Sequence, residues 1–195
     1  MKDTFISPLS DFAFAQIFGS QQNIDNTRAF LTALLDIPAD DYDKLTIETP
    51  TLERFFQEDK KSIVDLKLRT KSGRIIHIEI QVKKESGFQN RILYYAARSV
   101  GDQLRWGKKY QELHQVISVV ICDHELLENE KSYINVYELQ NKQNNPFTDL
   151  LKVIILELPK LPKAKDSNLW PARSAPAKAV AYYSNTVDLA SARAC

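Results

Sequence analysis

Glycine is scarce in this chain, 5 of 195 residues. No glycine falls into a GxxxxGK or GxGxxG pattern. Loops that cradle nucleotide phosphates with successive backbone N–H groups are therefore absent. Cysteine is scarcer still. Cys122 lies inside an apolar run and Cys195 is the last residue of the sequence, a pair that makes neither a disulfide framework nor a zinc-ligand set. Long hydrophobic runs are missing too. "VISVVI" and "VIILEL" fall far short of the roughly 20 residues a membrane-spanning helix needs. The start, "MKDTFISPLSDF", has no apolar stretch of the secretory type. The expectation is a reduced, cytoplasmic protein with no membrane partner. No charge sign dominates, with 26 basic residues against 25 acidic ones for a net of +1. That argues against a histone-like nucleic-acid binder but not against a local phosphate-contacting groove. GxSxG, HExxH and a Cys/His pair at catalytic spacing are also lacking. Any enzymatic chemistry must come from carboxylates.

What is present reads as one α/β domain. With 44% apolar and 26% charged residues, the chain can bury a core of ordinary size. "SPLSDFAFAQIFG" (7–19) predicts a short helix, capped by Ser7 with Pro8 in its first turn and closed by Gly19. Residues 25–36 predict a second helix with Ala29, Phe30, Ala33 and Leu34 on one face. A strand is expected in "KLTIET", followed by two more in "SIVDLKLRT" and "RIIHIEIQVK". From Phe88 to about Tyr110 an apolar stripe of Phe88, Ile92, Leu93, Ala96, Ala97, Val100 and Leu104 predicts a long helix. "QVISVVICD" suits a buried strand, "YINVYEL" alternates like a half-buried one, and "LKVIILELP" is a third, stopped by Pro159. Composition then shifts: residues 164–195 hold 9 of the 16 alanines without a stable period. The expected division is a domain over 1–166 and a poorly ordered tail over 167–195.

The two central strands are the informative part. Closing "KSG" as a three-residue loop, with Gly73 left-handed, pairs residues whose numbers sum to 144. Alternation then puts Val64, Leu66, Leu68, Ile76, Ile78, Ile80 and Val82 on one face. The other face carries Asp65, Lys67, Arg69, His77, Glu79, Gln81 and Lys83. A slip of one residue would bury the charges, so the register is well specified. Asp65 and Glu79 fall opposite each other, where like charges repel unless cations or a divalent ion sit between them. Mg2+ is such an ion, held by one or two carboxylates with waters and a substrate phosphate. By spacing alone, the more ordinary account is a solvent-facing hairpin whose charges are offset by Lys67 and Lys83.

The ordered series "SPLSDFAFAQIFG", "SIVDLKLRTKSGRIIHIEIQ", "FQNRILYYAARSVGDQLRWGKKYQEL", "VISVVICD" and "LLKVIILELPKLPK" resembles the Rpn family. These are recombination-promoting nucleases, also described as transposases, within the PD-(D/E)xK nuclease superfamily. The resemblance runs from about residue 4 to about 170. It implies a restriction-endonuclease-like α/β fold, a mixed central sheet flanked by helices. It also implies Mg2+-dependent DNA endonuclease activity linked to recombination, with Mn2+ as a substitute ion, DNA as partner, and room for a homo-oligomer.

By position, Asp65 matches the superfamily's metal-binding Asp, Glu79 its (D/E), and Gln81 the place of its Lys. Asp65 and Glu79 would hold the metal, and Gln81 would orient the attacking water. Val64 stands where the name-giving Pro would be. Gln81 brings no positive charge, which Lys67 or Arg91 can supply. Asp11 matches an acidic position in the family's first helix, although a first-turn acid favoured by the helix dipole fits equally. Arg91 and Tyr95 are candidate phosphate contacts. His77 reads as structural, and His114 and His124 as surface or core residues. The resemblance stops after "KDSNLWP", as though the chain were C-terminally truncated or frame-shifted. Three readings follow: a DNA endonuclease, a nuclease acting on RNA, and a catalytically inactive nuclease-fold DNA-binding or interaction protein.

Overall fold

The computed structural model describes Phe14, residues 18–48, residues 66–104, Gly107 and residues 109–161. Most of the expected first helix, the Asp65 end of the second strand and the tail expected over 167–195 lie outside the described residues. Helix α1 (Ile24–Leu34) is followed by a 3-10 turn (Ala39–Lys44) and strands β1 (Thr46–Glu48), β2 (Leu66–Arg69) and β3 (Ile75–Gln81). Then come helix α2 (Phe88–Gly101) and strands β4 (Val116–Cys122), β5 (Ile134–Gln140) and β6 (Pro146–Glu157). The strands form one six-stranded sheet in the order β1-β2-β3-β4-β6-β5. β1, β2 and β3 pair antiparallel, β3, β4 and β6 parallel, and β5 antiparallel to β6. This is the mixed sheet with flanking helices that the sequence predicts. The parallel β3–β4 pair requires a crossover, and α2 supplies it.

The β2–β3 register has Leu66 opposite Ile78, Lys67 opposite His77 and Leu68 opposite Ile76, each pair summing to 144. Gly73 has φ of 91°. A Cβ there would lie 2.7 Å from the His114 ring, so this turn needs glycine for space as well as for backbone conformation. One sheet face, with Leu66, Leu68, Ile76, Ile78, Ile80, Val119 and Ile121, packs against Phe14, Phe18, Phe30 and Leu31 in the main core. On the opposite face α2 sets Phe88 and Ile92 against Val120, Cys122 and Ile155, and Ala96 against Ile75 and Val116.

Four expectations are corrected. The polar face of β3 is not solvent-facing, because every residue of β3 is buried and α2 packs across that face. α2 ends at Gly101 rather than near Tyr110; Gln103 then bonds the backbone N–H and C=O of His114 at 2.8 and 2.9 Å, turning the chain back toward β4. Leu93 and Ala97 are exposed, since the buried line of this helix runs through Phe88, Ile92, Ala96 and Ser99. β5 is not half-buried by alternation. As an edge strand it leaves Val136, Tyr137 and Leu139 largely exposed. Among the described residues, no helix is long and apolar enough to cross a membrane.

Candidate active site

β3 carries His77, Glu79 and Gln81 in alternation toward α2. Its parallel pairing puts Glu79 beside Val120 and Gln81 beside Cys122, with Glu157 next to Cys122 on the far side. After β3 the chain loops through "VKKES" to Gly87, whose φ of 75° turns it into α2. Arg91 follows one turn later and reaches back over β3. Its Nη2 donates to Glu79 Oε1 at 2.9 Å and to Gln81 Oε1 at 3.2 Å, while Nη1 donates to Glu85 Oε2 at 2.6 Å. The guanidinium carbon sits 4.8 Å from the Phe88 ring centre, a cation–π contact. The buried Arg91 Nε has no hydrogen-bond partner among the described residues.

Burying a carboxylate is costly unless it is paired. Glu79 is only 6% exposed, and Arg91 is a counter-charge to it. Gln81 is fixed at both ends, its Nε2 donating to the Lys83 carbonyl at 2.5 Å and its Oε1 accepting from Arg91. The amide oxygen therefore faces the same side as the Glu79 carboxylate.

The two candidate sources of positive charge part ways. Lys67 pairs with Glu48 at 3.2 Å, and Arg69 bonds the same carboxylate. Burial pushes the Glu48 carboxyl up, but these two cations hold it below its ordinary range. Lys67 stands opposite His77 rather than Glu79. Arg91 alone of the two contacts Glu79 and Gln81. Tyr95, a turn further along α2, packs edge-on against Tyr94 at 5.3 Å. Asp65 and Asp11 lie outside the described residues.

His77 is structural, as expected. Its Nε2 and the Ser99 hydroxyl are 3.1 Å apart, pinning α2 to β3. Burial, helped by Lys67, lowers its pKa to about 4, with Glu48 pulling the other way. The Cys122 thiol is pushed up to about 12 by burial and then by the nearby Glu157 and Glu79 carboxylates, so it is no nucleophile. Sequence reasoning missed Glu157. It is fully buried and accepts from the N–H groups of Leu126 and Leu127 and from Lys160, which fastens the loop after β4. Its place at the end of an apolar run was the available signal. Both ring nitrogens of His124 are buried without a partner among the described residues.

Among the described residues, no group of three or more His, Cys, Asp or Glu is arranged to hold a metal ion. Among the described residues, the donors facing the site are one carboxylate and one amide oxygen. Both are hard oxygen ligands, and they fit an ion that takes few protein ligands and completes its shell with water. They do not fit a soft-metal site.

The family model described as PD-(D/E)XK nuclease family transposase matches residues 8–170 of this chain. No curated protein and no solved structure matches it.

Proposed function

The chain belongs to the PD-(D/E)XK nuclease transposase family, a nuclease family whose substrate is DNA, and from that premise we propose that it is a Mg2+-dependent endodeoxyribonuclease. Asp65 and Glu79 are the residues assigned to the ion, and Gln81 is assigned to the attacking water. The observation that carries this reading is the convergence of Glu79, Gln81 and Arg91 on one buried spot at the β3–α2 corner. When bound there, the ion would stabilise the charge that develops on a phosphodiester and lower the pKa of a bound water.

The rest is the work of side chains. Gln81 cannot take a proton, because an amide oxygen is an acceptor of negligible basicity. Its bond to the Lys83 carbonyl fixes the amide so that Oε1, which keeps a second lone pair, can hold a water in one orientation. Arg91 supplies the positive charge that Gln81 lacks, and its planar fork suits a phosphate oxygen pair. Covering by α2 keeps bulk water from this side of β3, which strengthens each of these interactions.

The test is cleavage of supercoiled plasmid with and without Mg2+. Wild type should nick DNA only with the ion. Glu79→Gln and Asp65→Asn should abolish nicking while the circular dichroism of the fold is retained. Gln81→Ala should slow it by about 10²-fold, the scale of one lost catalytic hydrogen bond. Nicking that survives Glu79→Gln would overturn the assignment. DNA binding without cleavage under any ion would instead favour the inactive nuclease-fold reading.

A further inference from the structure

Arg91 and a divalent cation would ask for the same carboxylate. Nη2 already occupies Glu79 Oε1 at 2.9 Å. The other end of the guanidinium holds Glu85 Oε2 at 2.6 Å, and the Glu85 side chain is half exposed. Glu85 belongs to the loop before α2, outside the buried row of β3. The guanidinium is also incompletely satisfied where it lies, with Nε buried and unpartnered among the described residues and the Gln81 contact stretched to 3.2 Å. Beneath it the Phe88 ring offers a flat face along which a planar cation can shift.

We propose that Arg91 is an exchangeable counter-ion, neutralising Glu79 when no cation is bound and transferring fully to Glu85 when a divalent ion takes the Glu79 carboxylate. The inference rests on the reading of Glu79 as a metal ligand and adds how that site is regulated. In the metal-free protein the Arg91–Glu79 pair offsets the cost of a buried charge. On metal binding, retaining both cations at one carboxylate would set like charges against each other, and Glu85 offers a second anchor that needs only rotation about side-chain bonds. Metal affinity is then set by the balance between the two carboxylates that share Arg91. Nη2, released from Glu79, is left at the site, where a phosphate would enter, while the Glu85 bond holds the guanidinium in place.

The experiment is Mn2+ titration of the full chain, read by the electron paramagnetic resonance of free Mn2+ and by the melting temperature. Arg91→Gln removes the competitor and should tighten Mn2+ binding about tenfold, the effect of roughly 1.4 kcal/mol. Glu85→Gln removes the alternative anchor and should weaken it. The double variant should match Arg91→Gln alone, because Glu85 acts only through Arg91. If Glu85→Gln weakens binding equally in the Arg91→Gln background, Glu85 acts as a plain nearby charge and the exchange is wrong. Glu79-dependent Mn2+ binding that is no tighter in Arg91→Gln overturns the exchange and leaves the nuclease reading standing. Absence of Glu79-dependent binding in every variant overturns both. Should Arg91→Gln fail to fold, Glu85→Gln decides by itself: unchanged affinity sinks the proposal.

Discussion

His77 sits between the strand that carries Lys67 and the helix that carries Ser99, and it is shielded from water on both sides. In the unfolded chain it would take a proton near its ordinary value of 6.5, whereas in the fold it resists until about 4. Between those values the unfolded state binds more protons, so stability rises with pH across the window. His77 therefore costs the fold nothing above pH 6.5, and the penalty grows as pH falls to 4, reaching on the order of 3 kcal/mol. His77→Gln should flatten the fall in urea midpoint between pH 7 and pH 4.5; an unchanged fall would show that another group is responsible. At this scale the sequence was partly legible. Alternation and the "KSG" turn give the partners of Lys67 and Leu66 correctly, since both depend only on local backbone geometry. Alternation says which residues share a face but not what covers it, so the row of His77, Glu79 and Gln81 looked solvated. The choice between Lys67 and Arg91 as the source of the positive charge that Gln81 lacks was likewise open, because it depends on how α2 is phased over β3.

The β2–β3 hairpin is held by a residue that its own strands do not contain. Asp41, from the 3-10 turn before β1, accepts from the Ser72 N–H at 2.6 Å, the Ser72 hydroxyl at 2.9 Å, the Thr70 hydroxyl at 3.0 Å and Arg74 Nη1 at 2.5 Å. Its carbonyl takes the Lys71 N–H. Burial pushes the Asp41 carboxyl up, but these donors outweigh it and hold it below its ordinary 3.8. Its stabilisation is thus present above that value and is lost as pH falls through the lower folded one. Asp41→Ala strands several donors in a partly buried turn and should destabilise by about 2–4 kcal/mol. Since the turn sets the β2–β3 register, plasmid nicking should fall in parallel with melting temperature. Loss of less than about 0.5 kcal/mol would mean water replaces the carboxylate without difficulty. Nothing near "PADDYD" marks this role, because the contact spans about thirty residues and joins two turns. The same limit shortened α2. Its apolar stripe continues past Gly101, but the pull of Gln103 on the His114 backbone is a tertiary contact that periodicity does not contain.

Over the whole molecule, the parallel centre is what the sequence states most plainly. β3, β4 and the last four residues of β6 are buried, and "VISVVIC" and "VIILE" are the near-continuous apolar runs that such strands need. The edges are less legible: β5 has the alternation of a half-buried strand, yet among the described residues it has no neighbour beyond it in the sheet. Cys122 lies on β4, between the parallel neighbours β3 and β6, fully buried, with its thiol pushed up to about 12. A thiol reagent can reach it only when this centre opens, so its labelling rate reports opening of the molecule. In a Cys195→Ser background Cys122 is the one thiol in the chain. Labelling should be slow at pH 7.5 and should accelerate with urea in step with loss of circular dichroism. A ligand that binds only the folded state lowers the open population by the factor 1 + [L]/Kd. With Mn2+ at ten times its Kd, labelling should therefore slow by about tenfold. The Glu79→Gln variant should label at the same rate with and without the ion. If Mn2+ slows both proteins equally, the ion binds elsewhere, and Glu79 is only the buried partner of Arg91.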